Sequence, residues 1–323
     1  MRPLKFHPIL KQTLWGGERI IPYKELASGL SRVGESWELS GMPGSESVVA
    51  EGPWAGSTLS ELIGRFGAEL LGKANYARFG QEFPLLVKFI DAREDLSIQV
   101  HPDVELARKR HGKSGKCEMW YVLEAEPGAS LLTGFSRPIA PAEYERRVAD
   151  NTLTDVLNRQ AIASGDVFYL PAGRVHSIGK GSFIVEIQQS SDITYRIYDF
   201  DRRDAAGNSR ELHTELAREA IDFESSENSR ITYAPENNQE VRLVTTPYFT
   251  TSLYTLTART RCDWSATDSF VAIVLLQGSG SLTDNEGNRI DVRQGETWLL
   301  PASTQWTEIT PHTAPLRLLT SRI

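Results

Sequence analysis

Gly165-Asp-Val-Phe-Tyr-Leu-Pro171-Ala-Gly173-Arg-Val-His176 reads as a strand, a tight turn and a returning strand. Val167, Phe168, Tyr169 and Leu170 form the short apolar run of a buried strand. Pro171-Ala-Gly173 punctuates it with a turn. His176 then stands on the returning strand, where a stiff β scaffold presents an imidazole to a barrel interior. A lone histidine on such a run is more often a satisfied core residue than a ligand. Other parts of the chain must therefore supply its partners.

Upstream, Leu96-Ser97-Ile98-Gln99-Val100-His101 alternates apolar and polar groups. Residues i and i+2 of a strand share a face, so Ser97, Gln99 and His101 look one way while Ile98 and Val100 look the other. Lys116-Cys117-Glu118 repeats the arrangement ahead of the strand-like run Met119-Trp120-Tyr121-Val122-Leu123, with Lys116 and Glu118 on one face. Gln99, His101, Glu118 and His176 are thus four candidate metal ligands. Two imidazoles, a carboxylate and an amide oxygen suit zinc, with manganese or iron as alternatives; glutamine is an uncommon ligand.

An internal repeat organises the chain. Gly165-Asp-Val-Phe-Tyr-Leu-Pro-Ala-Gly-Arg-Val-His176 aligns with Gly295-Glu-Thr-Trp-Leu-Leu-Pro-Ala-Ser-Thr-Gln-Trp306, 130 residues further on. Tyr121-Val-Leu-Glu likewise resembles Ile273-Val-Leu-Leu-Gln. Two lobes of one architecture follow. The second has Trp306 in the histidine position, so it is expected to bind no metal and to fill its barrel with that ring. The first lobe is expected over 1–223, an exposed Ser/Asn/Glu-rich linker over 224–240, and the second lobe over 241–323. Helices are expected over 57–71, with Ser57 and Ser60 as caps, after Pro102, over 140–150, near 154–158 and over 211–221.

Of 323 residues, 40% are hydrophobic and 24% charged, enough for one large core or two medium ones. The net charge of −7 argues against nucleic acid as a partner but leaves room for a local basic pocket. Cys117 and Cys262 make no disulfide framework and read as free thiols of a reducing compartment. The start of the chain lacks the apolar core of a signal peptide, and the run from Phe270 to Leu276 is too short to span a bilayer. A cytoplasmic protein without a membrane partner is the expectation.

Gly-x5-Pro-x-Gly-x2-His resembles the second motif of the cupins, small double-sheet barrels, with Lys180 where Asn usually stands. The fold class expected is therefore mainly β, two cupin-like (jelly-roll) barrels with a small helical insertion. Ser97-Ile-Gln99-Val-His101-Pro-Asp, Lys116-Cys-Glu118-Met-Trp-Tyr, Pro171-Ala-Gly-Arg-Val-His176, Glu186 and Tyr195-Arg196-Ile-Tyr-Asp-Phe-Asp together resemble class I mannose-6-phosphate isomerases in their shorter bacterial form. Trp15-Gly16-Gly17 fits the same family. The resemblance implies an enzyme with one Zn2+ per chain, held by Gln99, His101, Glu118 and His176, that interconverts mannose 6-phosphate and fructose 6-phosphate. It further implies that Lys116, Arg196 and Glu186 are active-site groups, with Ser97, Lys116 and Arg196 touching a phosphorylated hexose. Such a chain is expected as a monomer or homodimer.

Aldose–ketose isomerisation moves a proton between C2 and C1 through a cis-enediol-like intermediate, so it needs a cation near developing oxyanions and a proton carrier. Lys116 reads either as that carrier or as a binder of phosphate or hydroxyl. Glu186 reads either as the base or as a group that orients a ligand. Arg196 reads as an enediolate stabiliser, a phosphate grip, or a partner of Asp199 or Asp201. Arg174, Lys180 and Arg202 are further phosphate candidates. Two other readings stay open: another metal-dependent cupin enzyme, such as an iron oxygenase, and a non-catalytic sugar-phosphate-binding cupin.

Overall fold

Antiparallel strands recur from Leu4–Lys5 to Leu316–Arg322 and assemble into two β barrels, in a computed structural model that describes residues 1–224 and 228–323. The first barrel faces a seven-stranded sheet against a five-stranded one. The larger runs Arg230–Ile231, Val167–Leu170, Glu118–Ala125, Ser182–Gln189, Leu85–Asp91, Val33–Leu39, Ile9–Gly17 in spatial order. The smaller runs Leu157–Ala161, Ser130–Phe135, His176–Ile178, Ile98–Val100, Tyr195–Tyr198. The second barrel pairs a six-stranded sheet, which includes Val271–Gln277 and Thr297–Leu300, with a four-stranded one that includes Thr260–Asp263 and Trp306–Pro311.

Strand periodicity decides what each barrel buries. Trp120 and Val122 point into the first barrel with Phe168, Ile184, Leu131 and Ile178. Met119, Tyr121 and Leu123 point the other way and join Val274, Leu299 and Leu319 of the second lobe. Both faces of the strand are buried, which is why Met119–Leu123 reads as an unbroken apolar run. The largest apolar cluster therefore lies between the lobes, where the big sheets meet back to back.

The lobes are also stitched by the chain itself. Leu4–Lys5 pairs with Trp298 and Leu299, in the second lobe's sheet, although it lies within the expected first-lobe span 1–223. Arg230–Ile231, inside the expected linker, is the edge strand beside Val167–Leu170. Residues 225–227 of that linker lie outside the described residues.

Helices fill the outer faces. Thr58, not Ser57 or Ser60, caps Leu59–Phe66: its hydroxyl accepts from the Glu61 N–H while the Glu61 carboxylate accepts from the Thr58 N–H. The expected single helix to Leu71 breaks at Gly67 (φ 48°) and continues as Ala68–Leu71 and Lys73–Phe79. Asp103 caps Val104–His111, whose last turn is basic and whose end is Gly112 in the left-handed region. Pro141 opens Pro141–Ala149 as expected. The segment near 154–158 is a short 3-10 turn, Leu153–Val156, followed by strand. The helix over 211–221 is Thr214–Ala220.

Strand pairing corrects two readings of the repeat. Val167 pairs with Tyr121 and Thr297 with Val274, so Tyr121 corresponds to Val274, one residue beyond Ile273. On the returning strand, Ile178 points into the first barrel but Thr307 and Ile309, not Trp306, are the buried residues of the second. A one-residue slip after Pro301 exchanges the faces. Trp306 is half-buried under the Arg261 guanidinium, 4.1 Å from its ring centroid, while Trp264 and Trp298 fill the barrel. By pairing and facing, the positions of Gln99, His101, Glu118 and His176 are taken in the second lobe by Cys262, Trp264, Val271 and Thr307.

Candidate active site

The four candidate ligands converge. His101 and His176 lie on the five-stranded sheet side, Glu118 at the start of its strand opposite, and His176 pairs directly with Gln99. His101 Nε2 is 3.2 Å from Glu118 Oε1 and His176 Nε2 is 3.5 Å from Glu118 Oε2. The ligand atoms of His101, Glu118 and His176 all lie within 4.8 Å of one another, and all three residues are buried. The Gln99 amide nitrogen is 3.3 Å from His176 Nε2; a turn of the amide presents its oxygen instead.

The hydrogen bonds behind these groups select the right protonation states. His101 Nδ1 lies 2.7 Å from the Ile193 carbonyl and His176 Nδ1 2.8 Å from that of Arg174. Each imidazole donates outward, which leaves its Nε2 lone pair facing inward. Burial, helped by the Lys116 cation, pushes His101 down to about 3, and burial also lowers His176, so both rings are neutral. Burial alone would raise Glu118, but the Lys116 cation holds it well below the usual carboxylate range. Lys116 Nζ is 2.6 Å from Glu118 Oε1, yet neither buried oxygen of Glu118 accepts a well-directed hydrogen bond. Two neutral imidazole nitrogens and an ionised, under-coordinated carboxylate are the donor set a divalent cation takes.

The other expected site residues surround one cavity of about 630 Å³. Ser97, Gln99, Thr194, Arg196 and Arg210 line one wall; Thr13, Trp15, Glu35, Lys88, Lys116 and Glu186 line the other. Glu186 Oε2 accepts from Trp120 Nε1 (3.0 Å) and Oε1 lies 3.1 Å from Lys88 Nζ. Burial and the Glu118 charge raise the Glu186 pKa despite Lys88. Arg196 sits opposite Gln99 in register; its Nη1 donates to the Glu211 carbonyl at 2.8 Å, and its Nε is buried without a hydrogen-bond partner. Asp199 is gripped by Arg210, with Nε at 2.7 Å, and approached by Arg202 at 3.5 Å. Burial and the neighbouring Arg210 lower the Arg196 pKa.

Of the phosphate candidates, Arg174, Lys180 and Arg202 lie off the cavity wall: Arg174 donates to Ser229 Oγ, and Arg202 to the Asp95 carbonyl. Lys88, Arg210 and Glu35, which motif reading missed, line the cavity instead. Lys88 pairs with Glu186 across two strands, a register that no local pattern reveals. Arg210 and Glu35 belong to segments without a strong signal. Of Trp15-Gly16-Gly17, Trp15 lines the wall. A Cβ on Gly17 would come within 2.2 Å of Asp91 Oδ2, and one on Gly16 within 2.4 Å of the Arg32 carbonyl, so both must be glycine. Trp15 is buried in the barrel core, and Trp37 lies between Lys11 and Lys88, 4.9 and 5.2 Å from its ring centroid. Cys117 and Cys262 are free and buried.

Residues 4–131 match the family model for the catalytic domain of type I phosphomannose isomerase. A probable mannose-6-phosphate isomerase of Bacillus subtilis is 34% identical over 303 residues, 93% of each chain. A mannose-6-phosphate isomerase of Streptococcus mutans is 33% identical over 302 residues, 93% of this chain and 92% of its own. The crystal structure of the mannose 6-phosphate isomerase from Bacillus subtilis superposes with a TM-score of 0.90, at 29% identity, over the whole of both chains.

Proposed function

The chain belongs to the type I phosphomannose isomerases, aldose–ketose isomerases of mannose 6-phosphate, and from that premise we propose how its cavity works. One Zn2+ would be held by His101 Nε2, His176 Nε2, a Glu118 oxygen and the Gln99 amide oxygen, a set of nitrogen and oxygen donors that suits zinc. The single observation that carries this is the buried convergence of the His101, Glu118 and His176 ligand atoms within 4.8 Å of one another, with neither Glu118 oxygen hydrogen-bonded. When bound, the metal supplies a Lewis acid beside the oxygens of C1 and C2.

The remaining groups then have separate tasks. Glu186, its pKa raised by burial, moves the proton between C2 and C1 through a cis-enediol(ate). Lys116, pinned at Glu118 Oε1, donates to the substrate oxygen that gains negative charge. Arg196 adds a guanidinium beside the same end, on the strand next to Gln99. Ser97, whose Oγ lies 3.3 Å from the outer atom of the Gln99 amide, accepts from the NH2 of the turned amide, orients it and meets a sugar hydroxyl. A cytoplasmic location and a monomeric or dimeric state go with this reading; among the described residues, no helix is long and apolar enough to cross a membrane.

The test is conversion of mannose 6-phosphate to fructose 6-phosphate in a coupled assay, by zinc-loaded protein and after chelation. Turnover that disappears with the metal and returns with added zinc is the expected result. Protein that holds zinc and turns over no mannose 6-phosphate would overturn the reading.

A further inference from the structure

We propose that Arg210, braced by Asp199, anchors the substrate's phosphoryl group and leaves Arg196 to the reacting end; this rests on the sugar-phosphate reading above. A hexose 6-phosphate carries its reacting carbons at one end and its phosphate at the other. A single cavity must therefore offer a metal and proton carriers at one place and an anion site at another. Arg196 is tied to the first place, because it stands opposite Gln99 in the strand pairing. Arg210 arises from the loop that follows Tyr195–Tyr198 and lines the same cavity wall.

The geometry of Arg210 suits a dianion. Its Nε donates to Asp199 Oδ2 at 2.7 Å and its Nη2 to Oδ1, a fork-to-fork pairing that fixes the guanidinium plane. Nη1 takes no part in that pairing, and the side chain keeps 31% of its surface exposed. Asp199 is 6% exposed and is shared with Arg202, which is turned towards the Asp95 carbonyl and stays off the cavity wall. Two arginines on one carboxylate leave surplus positive charge, and Arg196 adds to it on the same wall. Asp199 is thus a positioning residue.

Inorganic phosphate is the probe, titrated by calorimetry into zinc-loaded protein and used as a competitor of turnover. Arg210→Ala is expected to weaken phosphate binding by about 10- to 100-fold, the range of a charge-assisted hydrogen bond. It should raise KM for mannose 6-phosphate similarly and change kcat little; Arg210→Lys should fall between. Lys180→Ala, a surface cation off the cavity, should leave phosphate binding unchanged. If the alanine variant melts early, the lysine variant decides. Unchanged phosphate binding in folded Arg210 variants would overturn the proposal. So would a loss produced by Arg32→Ala alone, Arg32 being another arginine that lines the cavity, or a fall in kcat at constant KM. Wild-type protein that turns over nothing but binds phosphate through Arg210 would sink the isomerase reading and support the anchor.

Discussion

Replacing Lys116 by Met should make the protein bind zinc more tightly while it loses activity. Lys116 Nζ lies 2.6 Å from Glu118 Oε1 and 3.2 Å from His101 Nε2, with the two side chains 6% and 1% exposed. In the metal-free protein this ammonium is the cation nearest Glu118. Removing one partner of a buried pair costs about 3–5 kcal/mol. In the zinc-loaded protein Glu118 keeps a cationic partner, so only a hydrogen bond's worth, about 1 kcal/mol, is lost. The difference, about 2–4 kcal/mol, appears in metal affinity, which at about 1.4 kcal/mol per decade is a gain of roughly 30- to 700-fold. Turnover should meanwhile fall about 100-fold or more, as when one oxyanion donor is removed. Competition against a chromophoric chelator gives the zinc affinity, and thermal melts with and without metal give the two stabilities. Zinc affinity equal to or weaker than that of the wild type would refute the reasoning, because it would mean that Lys116 does not compete with the metal for Glu118.

Arg196→Lys should lower kcat by about 100-fold with little change in zinc content, measured by steady-state kinetics and metal analysis. The metal-free protein should lose stability as pH falls from 6.5 towards 3, read from urea midpoints: unfolded His101 takes up a proton in that window that the folded ring, titrating at about 3, refuses. Glu118 acts in the same direction below its ordinary 4.5, since its folded carboxylate is held lower and stays charged longer. Trp298→Ala should cost about 3–5 kcal/mol in denaturant unfolding, because the ring is buried in the second barrel, and leave zinc stoichiometry at the first barrel untouched. Gly17→Ala should destabilise by about 1–3 kcal/mol, since its Cβ would meet the Asp91 carboxylate that Arg19 holds.

What could be read in the chain was what strand periodicity encodes. Ser97, Gln99 and His101 on one face, Lys116 and Glu118 on another, and His176 after a punctuated turn all depend on spacing within one strand, and the structure gathers His101, Glu118 and His176 in one buried cluster with Ser97, Gln99 and Lys116 on the cavity wall. Lys88 depends on which strand lies beside Ser182–Gln189, and Arg210 on where a loop returns, so neither was legible. The repeat disclosed two barrels, but an alignment by residue type cannot see a one-residue slip. Trp306 was therefore placed in the core, where Trp264 and Trp298 stand. The helix break at Gly67 was not legible because apolar spacing continues across that glycine to Leu70 and Leu71.

The pairing of Leu4–Lys5 with Trp298 and Leu299 has a consequence for how the protein comes into being. On the ribosome the first strand emerges long before its partner, nearly three hundred residues later in the chain. The outer face of the seven-stranded sheet also waits, since Met119, Tyr121 and Leu123 belong to a cluster that Val274, Leu299 and Leu319 of the second barrel complete. Domains generally fold in the order of synthesis, and exposed apolar sheet is prone to aggregate while it waits. A nascent chain ending at 223 would carry every candidate ligand and still lack the cover for that sheet. The first barrel, though it carries the whole candidate site, is therefore finished only when the last strands of the second have been made.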